Sequence, residues 1–140
     1  MPELYIDATD QILGRMASKI AKKLLKGDSI FIVNAEKTIV SGKPQVVFQI
    51  YKERISRGDP YNGPHYPNVP DMMVKRTVRG MLPKSPRGRE ALKRLRVYLS
   101  VPEELKKKKF EKIPEAENNL TQKYVELAEV SRVVSGRHVA

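Results

Sequence analysis

The chain has no cysteine, which excludes both a disulfide framework and a thiolate metal site. Histidine is nearly absent too. His65 falls in an irregular stretch and His138 stands two residues from the end; neither has a histidine or carboxylate partner at metal-ligand spacing. No apolar run approaches the ~20 residues that span a bilayer; an anionic membrane surface would suit a basic chain as nucleic acid does, but no membrane partner is proposed. The opening Met1-Pro2-Glu3-Leu4-Tyr5-Ile6-Asp7 lacks a basic flank followed by an apolar stretch. No secretory signal is therefore expected, and a cytoplasmic protein fits best. Nucleotide loops are missing as well. Gly42-Lys43 is followed by Pro44 where a phosphate loop carries Ser or Thr, and no glycine-rich turn follows the first strand as a dinucleotide site requires. Asp7 and Asp10 read as helix-start residues, not as a catalytic pair. These absences leave no cofactor, no small-molecule substrate and no enzymatic constellation to propose.

Acid is in short supply relative to base: 27 Lys and Arg face 16 Asp and Glu, for a net charge of +11 and a pI near 9.9. A compact domain with that excess repels itself unless a polyanion neutralises it. With 140 residues, 40% of them hydrophobic, the chain can bury one domain core.

The apolar pattern supplies the elements. Leu4 to Asp7 reads as a buried strand. Thr9 or Asp10 offers a helix cap and Gly27 a stop. Between them Leu13, Met16, Ile20 and Leu24 recur at i, i+3, i+7 and i+11, a core-facing stripe. Residues 29–33 and 38–41 read as two strands, separated by too few residues for a parallel crossover, so their pairing stays open. Pro44 suits the first turn of a helix whose core stripe is Val47, Ile50, Tyr51, Arg54 and Ile55, ended by Gly58-Asp59-Pro60.

Residues 58–70 hold Pro60, Pro64, Pro67 and Pro70 with Gly58 and Gly63, an irregular excursion. Asp71 can cap a helix carrying Val74, Val78 and Met81 inward, stopped by Pro83. Ser85-Pro86 starts another, with Ala91, Leu92 and Leu95 on its apolar face, and residues 96–101 follow as a strand. From Glu103 to Asn119 charge dominates and an extended arm is expected, whereas 121–135 regains helical spacing up to Gly136. This order argues for an α/β layered domain with a mainly parallel sheet over residues 1–102, followed by a C-terminal helical extension over 103–140.

The charge is concentrated. Residues 75–96 contain Lys75, Arg76, Arg79, Lys84, Arg87, Arg89, Lys93, Arg94 and Arg96 against the single acid Glu90. A solvated helix face mixes signs, as 121–135 does with Lys123, Glu126, Glu129 and Arg132. Arginine predominates in the block, and its planar guanidinium grips phosphate through two parallel hydrogen bonds. Gly80 and Gly88 permit a close backbone approach that a phosphate chain can use. Arg15, Lys19, Lys22 and Lys26 form a cationic stripe on the first helix, which suits phosphate contact or plain solvation. Tyr61, His65 and Tyr66 suit base stacking or equally the pinning of their loop, and Lys106 to Lys109 suit a phosphate-binding arm or a soluble tail. No helix-turn-helix, zinc-finger or basic-zipper pattern appears, nor the aromatic motif of a common RNA-recognition sheet.

Two sets of residues then become recognisable. Val78-Arg79-Gly80-Met81-Leu82-Pro83-Lys84 with Gly88-Arg89, Ala91-Leu92 and Leu95-Arg96-Val97-Tyr98 resembles the signature of the universal large-subunit ribosomal protein thirteen family. Leu13 to Ser18, Ile32 to Lys37 and Ser41-Gly42-Lys43 are similar to its earlier motifs, in the same order. The resemblance covers roughly residues 4–102, and the tail at 103–140 resembles the archaeal and eukaryotic branch. It implies a three-layer α/β/α domain with a four-stranded, mainly parallel sheet. It also implies a structural, non-enzymatic protein of the large ribosomal subunit that binds ribosomal RNA, touches neighbouring ribosomal proteins and acts early in assembly. Animal relatives are linked to translational silencing, which would add messenger RNA as a partner. The RNA-binding candidates are thus Arg15, Lys19, Lys22, Lys26, Lys37, Lys75, Arg76, Arg79, Lys84, Arg87, Arg89, Lys93 and Arg94. The readings weighed against this one are a nucleotide-utilising α/β enzyme and a non-ribosomal nucleic-acid-binding protein such as a DNA-compacting one.

Overall fold

A computed structural model describes residues 3–57, 61, 63, 66–118 and 121–135. Its nucleus is a strand–helix–strand unit: β1 (Glu3–Asp7), α1 (Leu13–Leu25) and β2 (Ser29–Val33). The strands run parallel, in register from Glu3 opposite Ser29 to Asp7 opposite Val33. The stripe of Leu13, Met16, Ile20 and Leu24 is buried as its period requires, with Ala17 and Ala21 beside it. Gly27 ends α1 at φ 104°, a left-handed conformation that glycine adopts without a Cβ penalty. Its N–H donates to the Leu24 carbonyl at 3.1 Å, and that of Asp28 donates to Lys23 at 3.3 Å; these two bonds close the helix C-terminus.

The helix start differs from expectation. Ile12, not Thr9 or Asp10, is the N-cap, and no side chain caps it. Tertiary pairing prevails there: the Ile12 N–H donates to the Ala116 carbonyl at 2.7 Å, and the Ile39 N–H donates to the Gln11 carbonyl at 2.9 Å. Asp10 turns the chain at φ 58°. Asp7 instead ties the ends of β1 and β2 together, accepting from the Thr9 N–H at 3.0 Å, the Thr9 hydroxyl at 2.7 Å and the Asn34 amide at 3.0 Å. Partial burial pushes this carboxyl upward, but the bonds from Asn34 and Thr9, with the nearby Lys112 charge, outweigh it and hold its pKa below the usual value.

The α/β class holds, but the expected four-stranded sheet does not. A parallel sheet of three strands has the order β1-β2-β4, where β4 is Leu95–Val97. Strand β3 (Ile39–Ser41) leaves this sheet and pairs antiparallel with β5 (Tyr124–Glu126). The short connection explains the departure: Asn34 at φ 58° and a 3-10 turn over Ala35–Lys37 redirect the chain before it can cross over. The partner strand lies in the stretch whose spacing predicts one helix over 121–135. There the open edge of β3 draws three residues into extended form, and α5 begins only at Leu127 and ends at Ser135. The Gly42 N–H to Lys123 carbonyl bond (2.8 Å) and the Leu127 N–H to Thr38 carbonyl bond (2.9 Å) close the two ends of the pair. The strand expected at 96–101 is likewise shorter, with Leu99 and Ser100 exposed.

The long connection from β3 to β4 holds α2 (Pro44–Ser56), α3 (Pro70–Met81) and α4 (Pro86–Lys93). Each begins with proline in its first turn, where the missing N–H costs nothing. In α2 only Val47 and Tyr51 of the expected stripe are buried; Ile50 and Arg54 are exposed and Ile55 is half-buried, because the helix leans on α5 and β5 by one narrow edge. In α3 Met73 is buried where Met81 was expected, and Met81 is exposed. Asp71 accepts a hydrogen bond from the Met72 N–H at 2.8 Å, while Val69 holds the cap position.

Residues 103–118 are not a free arm. They make 3-10 turns at Glu103–Leu105 and Pro114–Ala116. They also bridge the outer edge of β1, through Asp7 N–H to Glu111 carbonyl (3.0 Å) and Glu111 N–H to Tyr5 carbonyl (2.9 Å). Ile113, Ala116, Val125, Leu127 and Val130 belong to the same buried cluster as Ile6, Ile20, Ile30 and Val74.

Candidate nucleic-acid interface

The corner between α3 and α4 is built by a tight chain reversal. Helix α3 ends at Met81, Leu82 and Ser85 are extended, and Pro86 restarts the helix. Gly88 in the first turn of α4 presses against the outgoing chain so closely that a Cβ there would collide with the Pro83 carbonyl oxygen. The space that Gly88 provides is thus filled by the protein's own backbone, not by a ligand. Gly80 has nothing within 4 Å of where its Cβ would stand, and it does line open space.

That space is a cleft of about 580 Å³ between the two helices, whose charged walls are Arg76, Arg79, Lys84 and Arg89. Among the described residues, none of these four is paired with a carboxylate. Beside the cleft lies a second hollow of about 340 Å³, where Lys75, Arg76 and Arg79 surround Tyr66, Pro67, Met72 and Leu92. Uncompensated guanidinium groups gathered in one concavity raise the local potential and favour an anion that several of them can share.

Other cations of the block have other work. Arg94 Nη2 donates to the Leu24 carbonyl at 2.6 Å, and Arg87 Nη2 to the Leu25 carbonyl at 3.3 Å. Both satisfy carbonyls at the negative end of α1, a favourable place for a cation. Lys93 and Arg96 are exposed, and Lys37 is exposed at the end of its 3-10 turn, outside the cleft walls. Along α1, Arg15, Lys22 and Lys26 are exposed, whereas Lys19 forms an ion pair with Glu115. The hydrogen bond and charge of Lys19 hold the Glu115 carboxyl below its usual pKa.

The aromatic candidates separate too. Tyr61 is 91% exposed, and His65 lies outside the described residues. Tyr66 is gripped: the Arg54 and Arg76 guanidinium carbons lie 5.8 and 5.7 Å from its ring centroid, and Tyr51 meets it edge-on at 6.1 Å. Ser131 on α5 also holds the loop, donating to the Asn68 carbonyl at 2.6 Å. Sequence reasoning missed Arg54, which it placed in a core stripe, and it missed Met72 altogether. A helical period cannot distinguish a residue packed on the core from one reaching across to a loop.

Fold and charge together define a class: a basic α/β protein with four unpaired cations around one cleft at a helix corner, and without three His, Cys, Asp or Glu side chains clustered to hold a metal, among the described residues. The chain belongs to the ribosomal protein L13 family, whose model matches residues 2–104. It is 54% identical over 138 residues to the large ribosomal subunit protein uL13 of Archaeoglobus fulgidus, covering 96% of this chain and 88% of that one. The uL13 protein of Methanosarcina barkeri is 48% identical, with 94% and 97% covered, and that of Methanopyrus kandleri 44%, with 90% and 82% covered.

Proposed function

We infer that the protein is a structural constituent of the large ribosomal subunit, and that the α3–α4 cleft is where it grips folded ribosomal RNA. The observation that carries the cleft assignment is the set of Arg76, Arg79, Lys84 and Arg89 around one concavity, with no carboxylate partner among the described residues. Phosphate contacts there supply affinity and position, and the shape of the RNA supplies most of the specificity. Lys75 and Lys93 extend the contact; Arg15, Lys22 and Lys26 on α1, and Lys37, are secondary phosphate contacts. Among the described residues Tyr61 is the aromatic most exposed.

Residues 1–102 act as the RNA-binding core, and the described residues beyond 102 brace it, a reading supported by the burial of Ile113, Ala116 and Leu127 in the same cluster. Family membership makes this a non-enzymatic, cytoplasmic ribosomal component with neighbouring ribosomal proteins as further partners. It takes precedence over both the nucleotide-utilising enzyme and the DNA-compacting protein. A messenger RNA would meet the same cleft, and nothing in the chain favours it over ribosomal RNA.

The test is the double variant Arg79→Glu with Arg89→Glu, both side chains being exposed. We expect its melting temperature to stay within a few degrees of wild type while incorporation into the large subunit, followed by gradient sedimentation, falls at least about ten-fold. Unchanged incorporation of the folded variant would overturn the assignment.

A further inference from the structure

We propose that the hollow beside the cleft receives a single unstacked RNA base while the cleft holds the phosphates flanking it, an inference that rests on the RNA-binding reading above. The two concavities share walls: Arg76, Arg79 and Leu92 line both. A nucleotide has the matching layout, an anionic linkage joined to a flat ring with apolar faces and polar edges. The hollow measures about 340 Å³, near the lower end of the ~300–1,000 Å³ that small-molecule sites occupy.

Its chemistry selects among occupants. Pro67, Met72 and Leu92 give it an apolar floor, and Lys75, Arg76 and Arg79 give it a cationic rim. Met72 stands 49% exposed at this place, and its polarizable thioether suits contact with a π-system. An apolar side chain from a neighbouring protein would fill the floor but leave three cations desolvated without a counter-charge. A base carried on a phosphate chain satisfies both. Sequence-selective RNA recognition works on unstacked bases, which stack on aromatic rings or on arginine planes. Tyr66 is already engaged by Arg54 and Arg76, so it serves as a wall, and the Arg76 guanidinium that it holds is the stacking partner.

The experiment uses the full chain and two labelled RNA hairpins that differ at one bulged position. One carries adenosine there and the other an abasic sugar, so the phosphates are the same. The wild-type protein is expected to bind the adenosine hairpin about ten-fold more tightly. Met72→Trp, which fills the hollow from an exposed position, should bring the two affinities within about two-fold while leaving the salt dependence of abasic binding unchanged. Met72→Ala, which leaves the hollow open, should keep most of the preference and so control for folding. Equal wild-type affinity for both hairpins, with normal salt dependence, overturns the base pocket and leaves the cleft standing. A preference that survives Met72→Trp in a folded protein also overturns the pocket. Weak, salt-independent binding to both hairpins overturns the cleft assignment, and the pocket with it.

Discussion

Helix α1 is flanked on one side by α3 and α4 and on another by the 3-10 turn at Pro114–Ala116, and both flanks are rich in Lys and Arg. At the α3–α4 corner Arg76, Arg79, Lys84 and Arg89 face a cleft with no carboxylate among the described residues that line it. On the other flank Lys19, Lys23 and Lys112 share a smaller hollow with Glu111 and Glu115, and Lys19 is ion-paired. A cation is available to a polyanion only where the fold has not already supplied its counter-charge. The difference is made by residues 111–115, which carry acids back across the edge of β1. Charge density along the chain therefore overstates the unpaired cations on both flanks: Glu115 takes Lys19 on one, and the α1 carbonyls take Arg87 and Arg94 on the other.

The sharpest way to break this contrast is to deform the corner. Gly88→Val sets a branched side chain against the Pro83 carbonyl. Overpacking ordinarily costs ~1–3 kcal/mol; here a backbone group must move, and we expect about 3 kcal/mol or more in urea unfolding, with loss of RNA binding. Gly80→Ala is the companion: nothing stands within 4 Å of the new methyl, so it should stabilise α3 by up to about 1 kcal/mol. If both changes proved neutral, the corner would not be the rigid frame of the cleft.

Acid sharpens the contrast next, because the 111–115 segment pairs a carboxylate with a lysine and hangs on the β1 edge beside Asp7. Asp7, whose own N–H bonds the Glu111 carbonyl, has a folded pKa below its usual 3.8. The unfolded chain therefore binds the proton first, and stability rises with pH across that interval. The contribution is fully present above the unfolded value and disappears as pH falls through the lower folded one. Asp7→Asn should cost about 1 kcal/mol at neutral pH, because the half-buried carboxylate is partly screened by solvent. It should also flatten the acid limb of a stability–pH curve. An acid limb as steep as wild type would remove Asp7 from the account.

What was legible in the sequence was what local spacing decides. The α1 stripe and its Gly27 stop followed from period and conformation, and the proline starts of α2 and α4 needed only their own residues; Pro70, read as the end of the irregular excursion with Asp71 as the cap, in fact opens α3. The cationic block could be read because its members are neighbours in the chain. Its division could not. Arg87 and Arg94 differ from Arg79 and Arg89 only in reaching the carbonyls of Leu25 and Leu24, far away in sequence. Strand β5 was hidden for the same reason: Tyr124 to Glu126 lie in a helical pattern, and only the open edge of β3, brought beside them by the fold, makes the extended form the better one. The Glu115 partner of Lys19 belongs to a segment whose composition suggests a solvated arm.

Glu115→Gln gives the smallest expected effect and the closest comparison. It removes the counter-charge from Lys19 without touching the α3–α4 corner, so one more ammonium becomes available on a flank outside the proposed RNA-binding cleft. Affinity for a structured RNA should rise by less than about three-fold, and the slope of log K against log salt should steepen by less than about one unit, since at most one further phosphate is neutralised. The Arg79→Glu and Arg89→Glu pair, in contrast, should weaken binding by more than about ten-fold and flatten that slope by about two. A ten-fold gain from Glu115→Gln would mean that the paired flank lies inside the interface, with Glu115 acting there as a brake on RNA binding. The two sides of α1 would then form one continuous surface, and the distinction drawn between them would fail.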